Sequence, residues 1–278
     1  MRFTKMQGIG NDYLYVSLFD QRVDDPAALA RAMSRPHFGV GADGLVLIGP
    51  SERADFSMRI FNADGSESEM CGNATRCVAK YVYERGLTDR RELTLETRAG
   101  IRGLWLTAAD GKVQRVRVSM GRPDFASAAI PVGIPQETAV DYELEAAGAP
   151  LRATSVSMGN PHTVVFVPEL DKIPFETWGA AIERHPLFPK RTNVEFVEMD
   201  GRDACRVRVW ERGVGETLAC GTGACAVLAA AARTGRGERE MEIRLPGGAL
   251  RVSWEADGQI YQEGPAAFVF DGEWPEEA

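Results

Sequence analysis

The chemistry on offer in this chain is carried by two cysteines. Cys71 stands in "SEMCGNATRCVAKYVYERG" and Cys220 in "LACGTGACAVLAAAARTG", each directly before a glycine that opens a helix-like run. The first turn of a helix leaves backbone N–H groups unpaired and carries partial positive charge. A thiol placed there is expected to have its thiolate stabilised and its pKa lowered below about 8.5. The glycines that follow permit close backbone approach, so the N–H groups suit an anion the size of a carboxylate. A thiol beside such a site can take or give a proton at the neighbouring α-carbon. Two of them, one to each face, would invert that carbon, one acting as base and the other as acid. N–H donors aimed at the carboxylate would stabilise the developing carbanion. The pair is expected to titrate as a unit, one thiolate and one thiol in the working state.

The two cysteines lie 149 positions apart, and the same offset recurs along the chain. It sets Gly10-Asn11 against Gly159-Asn160, Arg59 against Arg208, Glu67 against Glu216, Gly72 against Gly221 and Gly86 against Gly235. Further on it slips by a residue or two, so that Ala109-Asp110-Gly111 answers Ala256-Asp257-Gly258. A repeat this long, occurring twice, predicts two similar lobes about a pseudo-two-fold axis, with a cleft between them. Polar residues fall at paired positions: Asn11 with Asn160, Asn62 with Glu211, Asn73 with Thr222, and Gly44 with Asn193. The pairs Asn62/Glu211 and Gly44/Asn193 break the symmetry, so recognition of a substrate is expected to be asymmetric.

The elements that must position these groups read alike in both halves. "YLYVSLF" and "TVVFVPEL" read as strands, and "AALARAMSR" and "FETWGAAIER" as short amphipathic helices. "GLVLIGP" with "FSMRIFN", and "VEFVEMD" with "CRVRVWE", read as strand pairs, each followed by a cysteine-led helix and a β-meander. The architecture is α+β, mostly antiparallel strand with one long helix per lobe. The lobes are expected over 1–120 and 121–266, with the stretch Pro131 to Pro150 joining them or edging the second.

Composition narrows the class. The 278 residues are 44% hydrophobic and 26% charged, as in globular proteins, and the net charge of −8 disfavours a non-specific grip on nucleic acid or anionic membrane. No apolar run approaches the roughly 18 residues of a membrane span, and the first residues lack the apolar core of a secretory signal. Five cysteines without dense spacing suit a reducing, cytoplasmic setting. Cys77, Cys205 and Cys225 read as structural. There is no C-x-x-C, and His37, His162 and His185 make no ligand spacing, which disfavours a redox dithiol or a metal module. The few lysines lie outside any phosphate-cradling motif, which disfavours a pyridoxal-phosphate racemase. A binding protein without catalysis would need neither thiol.

The motifs "KMQGIGNDY", "MCGNATRC", "GNPHTVVF" and "WERGVGETLACGTGACA" closely resemble those of the diaminopimelate epimerases, with lesser matches in "HFGVGADGLV", "RTNVEFVEM" and "GPAAFVFDGE". The resemblance implies two similar lobes, each a central helix wrapped by antiparallel strands, with segment 267–278 returning to the first. It implies a cofactor-independent enzyme that interconverts LL- and meso-2,6-diaminoheptanedioate in lysine and cell-wall precursor synthesis. Cys71 and Cys220 match the catalytic thiols. Substrate contacts match Asn11, Asn62, Asn160, Asn193, Glu211 and Arg212, with the Gly72-Asn73 and Gly221-Thr222 backbones holding the reacting carboxylate. His162 matches a position near the first thiol and Glu211 one near the second, both able to help move protons. At Gly44 some members carry a side-chain amide, and here only backbone is available. Proline or hydroxyproline racemases are the nearest rival, but the Glu211-Arg212 pair favours a substrate with a second ammonium and carboxylate. Isomerases of the phenazine-biosynthesis type lack the two thiols. No metal, nucleic acid or membrane partner is implied, and the oligomeric state stays open, a homodimer included.

Overall fold

A computed structural model of the chain describes residues 1–275, so the end of the expected returning segment, 276–278, lies outside the described residues. The first elements are β1 (Arg2–Gly8), β2 (Asn11–Ser17), α1 (Pro26–Ser34), β3 (Gly44–Gly49), β4 (Phe56–Asn62) and β5 (Glu67–Ser68). After them come α2 (Gly72–Glu84), β6 (Glu92–Thr97), β7 (Gly100–Ala109), β8 (Lys112–Gly121), β9 (Tyr142–Ala146), β10 (Ala149–Ser157) and β11 (Pro161–Phe166). The chain continues through α3 (Phe175–Glu183), β12 (Asn193–Met199), β13 (Ala204–Glu211), β14 (Gly215–Thr217) and α4 (Gly221–Arg233). It closes with β15 (Glu240–Leu245), β16 (Gly248–Trp254), β17 (Ile260–Gly264) and β18 (Ala267–Glu273). Among the described residues two compact units result: Met1–Ser119 with 263–275, and Met120–Gln262.

In the first unit β1 pairs antiparallel with β2, β2 runs parallel to β3, and β3 is antiparallel to β4. Then β4 pairs antiparallel with β5 and parallel with β6, and β6–β7–β8 form an antiparallel meander. The second unit repeats this in β10 to β16, with parallel pairs β11–β12 and β13–β15. Each parallel pair needs a crossover, and the crossovers contain the four α-helices. The edge strand differs in origin. β9 precedes β10 and pairs with it, whereas β1 takes its antiparallel neighbour, β18, from the far end of the chain. The stretch from Pro131 to Pro150 thus edges the second unit. "TVVFVPEL" is strand only to Phe166; Leu170–Lys172 is a 3₁₀ turn, because Pro168 cannot donate to a ladder.

Both long helices are buried on nearly every side. In α2 every residue from Gly72 to Lys80 is buried, and the helix packs on β1, β2 and β7. In α4 the run Ala229-Ala230-Ala231 is fully buried against strands that include β10, β15 and β16. A helix that is small or apolar all round belongs in a core. The opposite side of the first sheet is covered by α1, through Ala30 and Met33 on Leu45, Leu47 and Phe61. The all-buried pattern of β3 follows from being covered on both faces. Each long helix ends at a left-handed glycine, Gly86 at φ 74° and Gly235 at φ 73°. The N–H groups just beyond, of Leu87 and Arg236, return to Val82 and Ala231 carbonyls at 2.9 Å.

Cys77, Cys205 and Cys225 have no exposed surface. Burial pushes the Cys77 thiol up to about 11 and that of Cys205 to about 12. In the unfolded chain these thiols ionise near pH 9, so above that the unfolded state binds fewer protons than the folded one. Stability is therefore complete below pH 9 and falls up to about 11 for Cys77 and about 12 for Cys205. The slope is about 1.4 kcal/mol per pH unit for each thiol. Urea melts between pH 8 and 10.5 measure this, and a flat stability across that range would contradict it.

Candidate functional site

In the first unit, Cys71 is the N-cap of α2, with an extended backbone at φ −135° and ψ 119°. Its sulfur accepts from the Ala74 N–H at 3.5 Å and donates to Asn11 Oδ1 at 3.4 Å. Asn11 opens β2 after a turn at left-handed Gly10, and its amide donates to Asp43 Oδ2 at 2.6 Å. The same Asp43 oxygen accepts from the Asp12 N–H at 3.0 Å. Burial pushes the Asp43 carboxyl up from the usual range, with those hydrogen bonds opposing it. Asn73, nearly fully buried, accepts from Arg76 Nη2 at 2.9 Å. Asn62 lies at the end of β4, where its side chain donates to Ser66 Oγ at 2.9 Å.

Gly44 faces Asn62 across the β3–β4 ladder, and packing accounts for the glycine. A Cβ there would sit 2.1 Å from the Phe61 carbonyl oxygen and 2.9 Å from the Tyr13 ring. A side-chain amide at 44 has no room in this chain. Gly44→Asn is expected to destabilise the protein by about 2–3 kcal/mol through overpacking. Denaturant melts test this, and an unchanged midpoint would refute it.

In the second unit, Cys220 caps α4 at φ −123° and ψ 114° and accepts from the Gly223 N–H at 3.4 Å. Thr222 Oγ1 lies 3.5 Å from the sulfur and accepts from Asn160 Nδ2 at 3.4 Å. Asn160 Oδ1 is 3.0 Å from His162 Nε2, and His162 Nδ1 is 2.7 Å from Glu195 Oε1. Asn193, opening β12, donates to the Pro161 carbonyl at 3.0 Å and accepts from the Arg212 N–H at 2.9 Å. The Arg212 side chain is exposed and donates to the Lys190 carbonyl at 3.0 Å. Glu211 ends β13 and accepts from Thr217 Oγ1 at 2.7 Å.

Helix position alone predicts an acidified thiol, and for Cys220 the structure reverses that. Burial pushes the Cys220 thiol well above its ordinary value, and the carboxylates of Glu211 and Glu195 push the same way. The donors Thr222 and Gly223 only partly offset them.

Some residues at the site were not singled out from sequence. Glu195 is fully buried within "NVEFVEM", and an acid flanked by Val194 and Phe196 in a strand was the available signal. Gln262, also fully buried, donates to the Gly221 carbonyl at 2.8 Å and so pins the first turn of α4. Asp43, just before β3, orients Asn11. Among the described residues, no group of three or more His, Cys, Asp or Glu is arranged to hold a metal ion, and no helix is long and apolar enough to cross a membrane.

A duplicated unit with a thiol-capped central helix in each copy places the chain in one fold class with solved epimerases. It superposes on a hydroxyproline epimerase from Agrobacterium vitis with a TM-score of 0.71 at 18% identity, covering 98% of this chain and 91% of the other. It also superposes on a PhzF-family phenazine biosynthesis protein from Bacillus anthracis with a TM-score of 0.70 at 20% identity, covering 99% of both. At those identities the likeness is one of fold. The sequence comparison is finer. The family model described as diaminopimelate epimerase matches residues 3–126 and 154–269. Over 274 residues the chain is 53% identical to the diaminopimelate epimerase of Acetivibrio thermocellus, covering 98% of each. It is 50% identical to that of Methanococcus maripaludis, covering 98% of this chain and 99% of the relative. The chain belongs to the diaminopimelate epimerase family.

Proposed function

We propose that the protein interconverts LL- and meso-2,6-diaminoheptanedioate, with Cys71 and Cys220 as the two acid/base groups, in lysine and peptidoglycan precursor synthesis. One thiolate takes the α-proton from one face while the other thiol delivers a proton to the opposite face. The reverse reaction exchanges the roles. The observation that carries this reading is the repeat itself: each unit presents a sulfur at the start of a buried helix, linked to an asparagine at the same place in the repeat, directly for Cys71 and Asn11 and through Thr222 for Cys220 and Asn160. The first-turn N–H groups at Gly72-Asn73 and Gly221-Thr222 are suited to the reacting carboxylate, whose charge grows in the carbanionic transition state. Asn11, Asn62, Asn160 and Asn193 serve as further substrate contacts. Glu211 and Arg212 supply one charge of each sign for the distal ammonium and carboxylate, and His162 and Glu211 assist proton movement. Both proton-transfer groups are side chains of this chain, so the chemistry calls for no cofactor. Net negative charge, and cysteines that form no disulfide among the described residues, suit a cytoplasmic enzyme that binds neither nucleic acid nor membrane.

Incubation with the LL isomer in D₂O tests the reading. Solvent deuterium is expected at one α-carbon, with inversion and without added cofactor. Unchanged substrate recovered after long incubation with active, folded protein would overturn it.

A further inference from the structure

Asn11 and Asn160 hold the same place in the repeat, yet their carboxamides are used differently: the Asn11 oxygen meets the sulfur of Cys71, whereas the Asn160 amide meets Thr222, which in turn meets the sulfur of Cys220. In the first unit Asp43 takes the Asn11 amide, which leaves Oδ1 to accept from Cys71. In the second, Oδ1 of Asn160 faces His162 Nε2 at 3.0 Å and its amide donates to Thr222 Oγ1 at 3.4 Å. Behind His162, Nδ1 lies 2.7 Å from Glu195 Oε1, with both side chains fully buried.

Hydrogen bookkeeping gives this chain a direction. An amide oxygen only accepts, so the hydrogen in the contact with Asn160 sits on Nε2, and a further hydrogen lies in the Nδ1–Oε1 contact. Thr222 Oγ1 accepts from Asn160, and once Cys220 ionises its Sγ, 3.5 Å away, can only accept, so the Thr222 hydrogen turns to it. Donors at His162, Asn160 and Thr222 therefore all point toward the sulfur. With Asn160 turned round, its oxygen would draw the Thr222 hydrogen away from Cys220.

We propose that Glu195 is a positioning residue for Cys220: it holds His162 so that the hydrogen-bond chain through Asn160 and Thr222 runs toward the sulfur and supports the Cys220 thiolate as it forms. The inference rests on Cys220 being one of the two acid/base thiols. The sulfur needs such donors, because it is buried and the carboxylates of Glu211 on β13 and Glu195 on β12 both act against its ionisation. Chains of hydrogen bonds polarise one another, so a fixed direction strengthens the last donor. Gly223 is part of the arrangement. A Cβ on it would lie 2.7 Å from Glu195 Oε1 and 3.3 Å from Cys220 Sγ, so only a glycine lets the carboxylate and the thiol share the first turn of α4.

Two near-isosteric variants separate hydrogen bonding from shape. Glu195→Gln can present an N–H to Nδ1 and leave the ring hydrogen on Nε2, so kcat is expected to stay within about threefold of the parent. Glu195→Leu cannot, and kcat is expected to fall about 30-fold, less than for a donor touching the charge itself. Because Glu195 acts through Thr222, adding Thr222→Val to Glu195→Leu is expected to cost little beyond the worse single variant. Parental kcat in folded Glu195→Leu, equal losses in the Gln and Leu variants, or losses that multiply with Thr222→Val would each overturn the proposal. The side-chain NH₂ resonance of Asn160 gives a readout without turnover, so it stands apart from the assignment of the reaction. It is expected to move in Thr222→Val and in Glu195→Leu but not in Glu195→Gln. If Glu195→Leu does not fold, Thr222→Val decides alone: an unmoved Asn160 resonance there means the chain does not exist.

Discussion

Cys71→Ser and Cys220→Ser are each expected to lower kcat for epimerisation by about 10²–10⁴-fold, the range for losing a positioned general acid or base. The contrast is clean because both residues are also helix caps. Cys71 Sγ accepts from the Ala74 N–H and Cys220 Sγ from the Gly223 N–H, and serine is among the best residues for that bond. Thermal stability should therefore hold or rise while turnover collapses. A hydroxyl stays protonated far above the range in which a thiol ionises, so the variant keeps the shape and loses the base. Steady-state rates in both directions, with melting temperatures, make the measurement. Either serine variant turning over within tenfold of the parent would remove its cysteine from the mechanism.

Arg76→Met is expected to cost about 3 kcal/mol of stability. The guanidinium has no exposed surface, its Nε donates to the Pro265 carbonyl at 3.0 Å, and its Nη2 donates to Asn73 Oδ1 at 2.9 Å. Methionine fills similar volume but removes both donors and leaves the buried Asn73 oxygen unsatisfied, at about 1–3 kcal/mol, with the part-buried Pro265 carbonyl adding to the loss. The loss should reach function as well. Pro265 leads into β18, the strand that completes the edge beside β1, and Asn73 is the second residue of α2, directly after Gly72. Urea melts check the size, and an m-value unchanged from the parent confirms a stability effect rather than a changed unfolded state. A midpoint equal to that of the parent would show that the interior tolerates the loss.

What could be read from the sequence was local. Left-handed glycines after each long helix, the extended cap at each cysteine, and the spacing between them depend on neighbouring φ/ψ angles, so the 149-residue offset preserves them. The arginines and glutamates at matching places in the repeat turn out to be ion pairs in the structure. Arg59 Nε meets Glu67 at 2.8 Å and Arg208 Nε meets Glu216 at 2.8 Å, each closing a β-hairpin at the same register. The candidate thiols, their asparagines and the α+β architecture followed from those regularities.

Tertiary structure decided what depends on partners far along the chain. β9 and β18 fill the same edge in their units but come from opposite sides of the repeat, which no 149-residue comparison shows, because pairing is set by the neighbour's free edge and not by distance along the chain. Gly44 looked like a missing contact, and only the approach of Phe61 shows that the ladder leaves no space for one. The charge of Cys220 was misjudged for the same reason: a helix start favours a thiolate locally, but desolvation and the carboxylates of Glu211 and Glu195 outweigh it once the fold encloses the sulfur. Local geometry was written in residue types and spacing, whereas burial, field and edge pairing are sums over the whole unit.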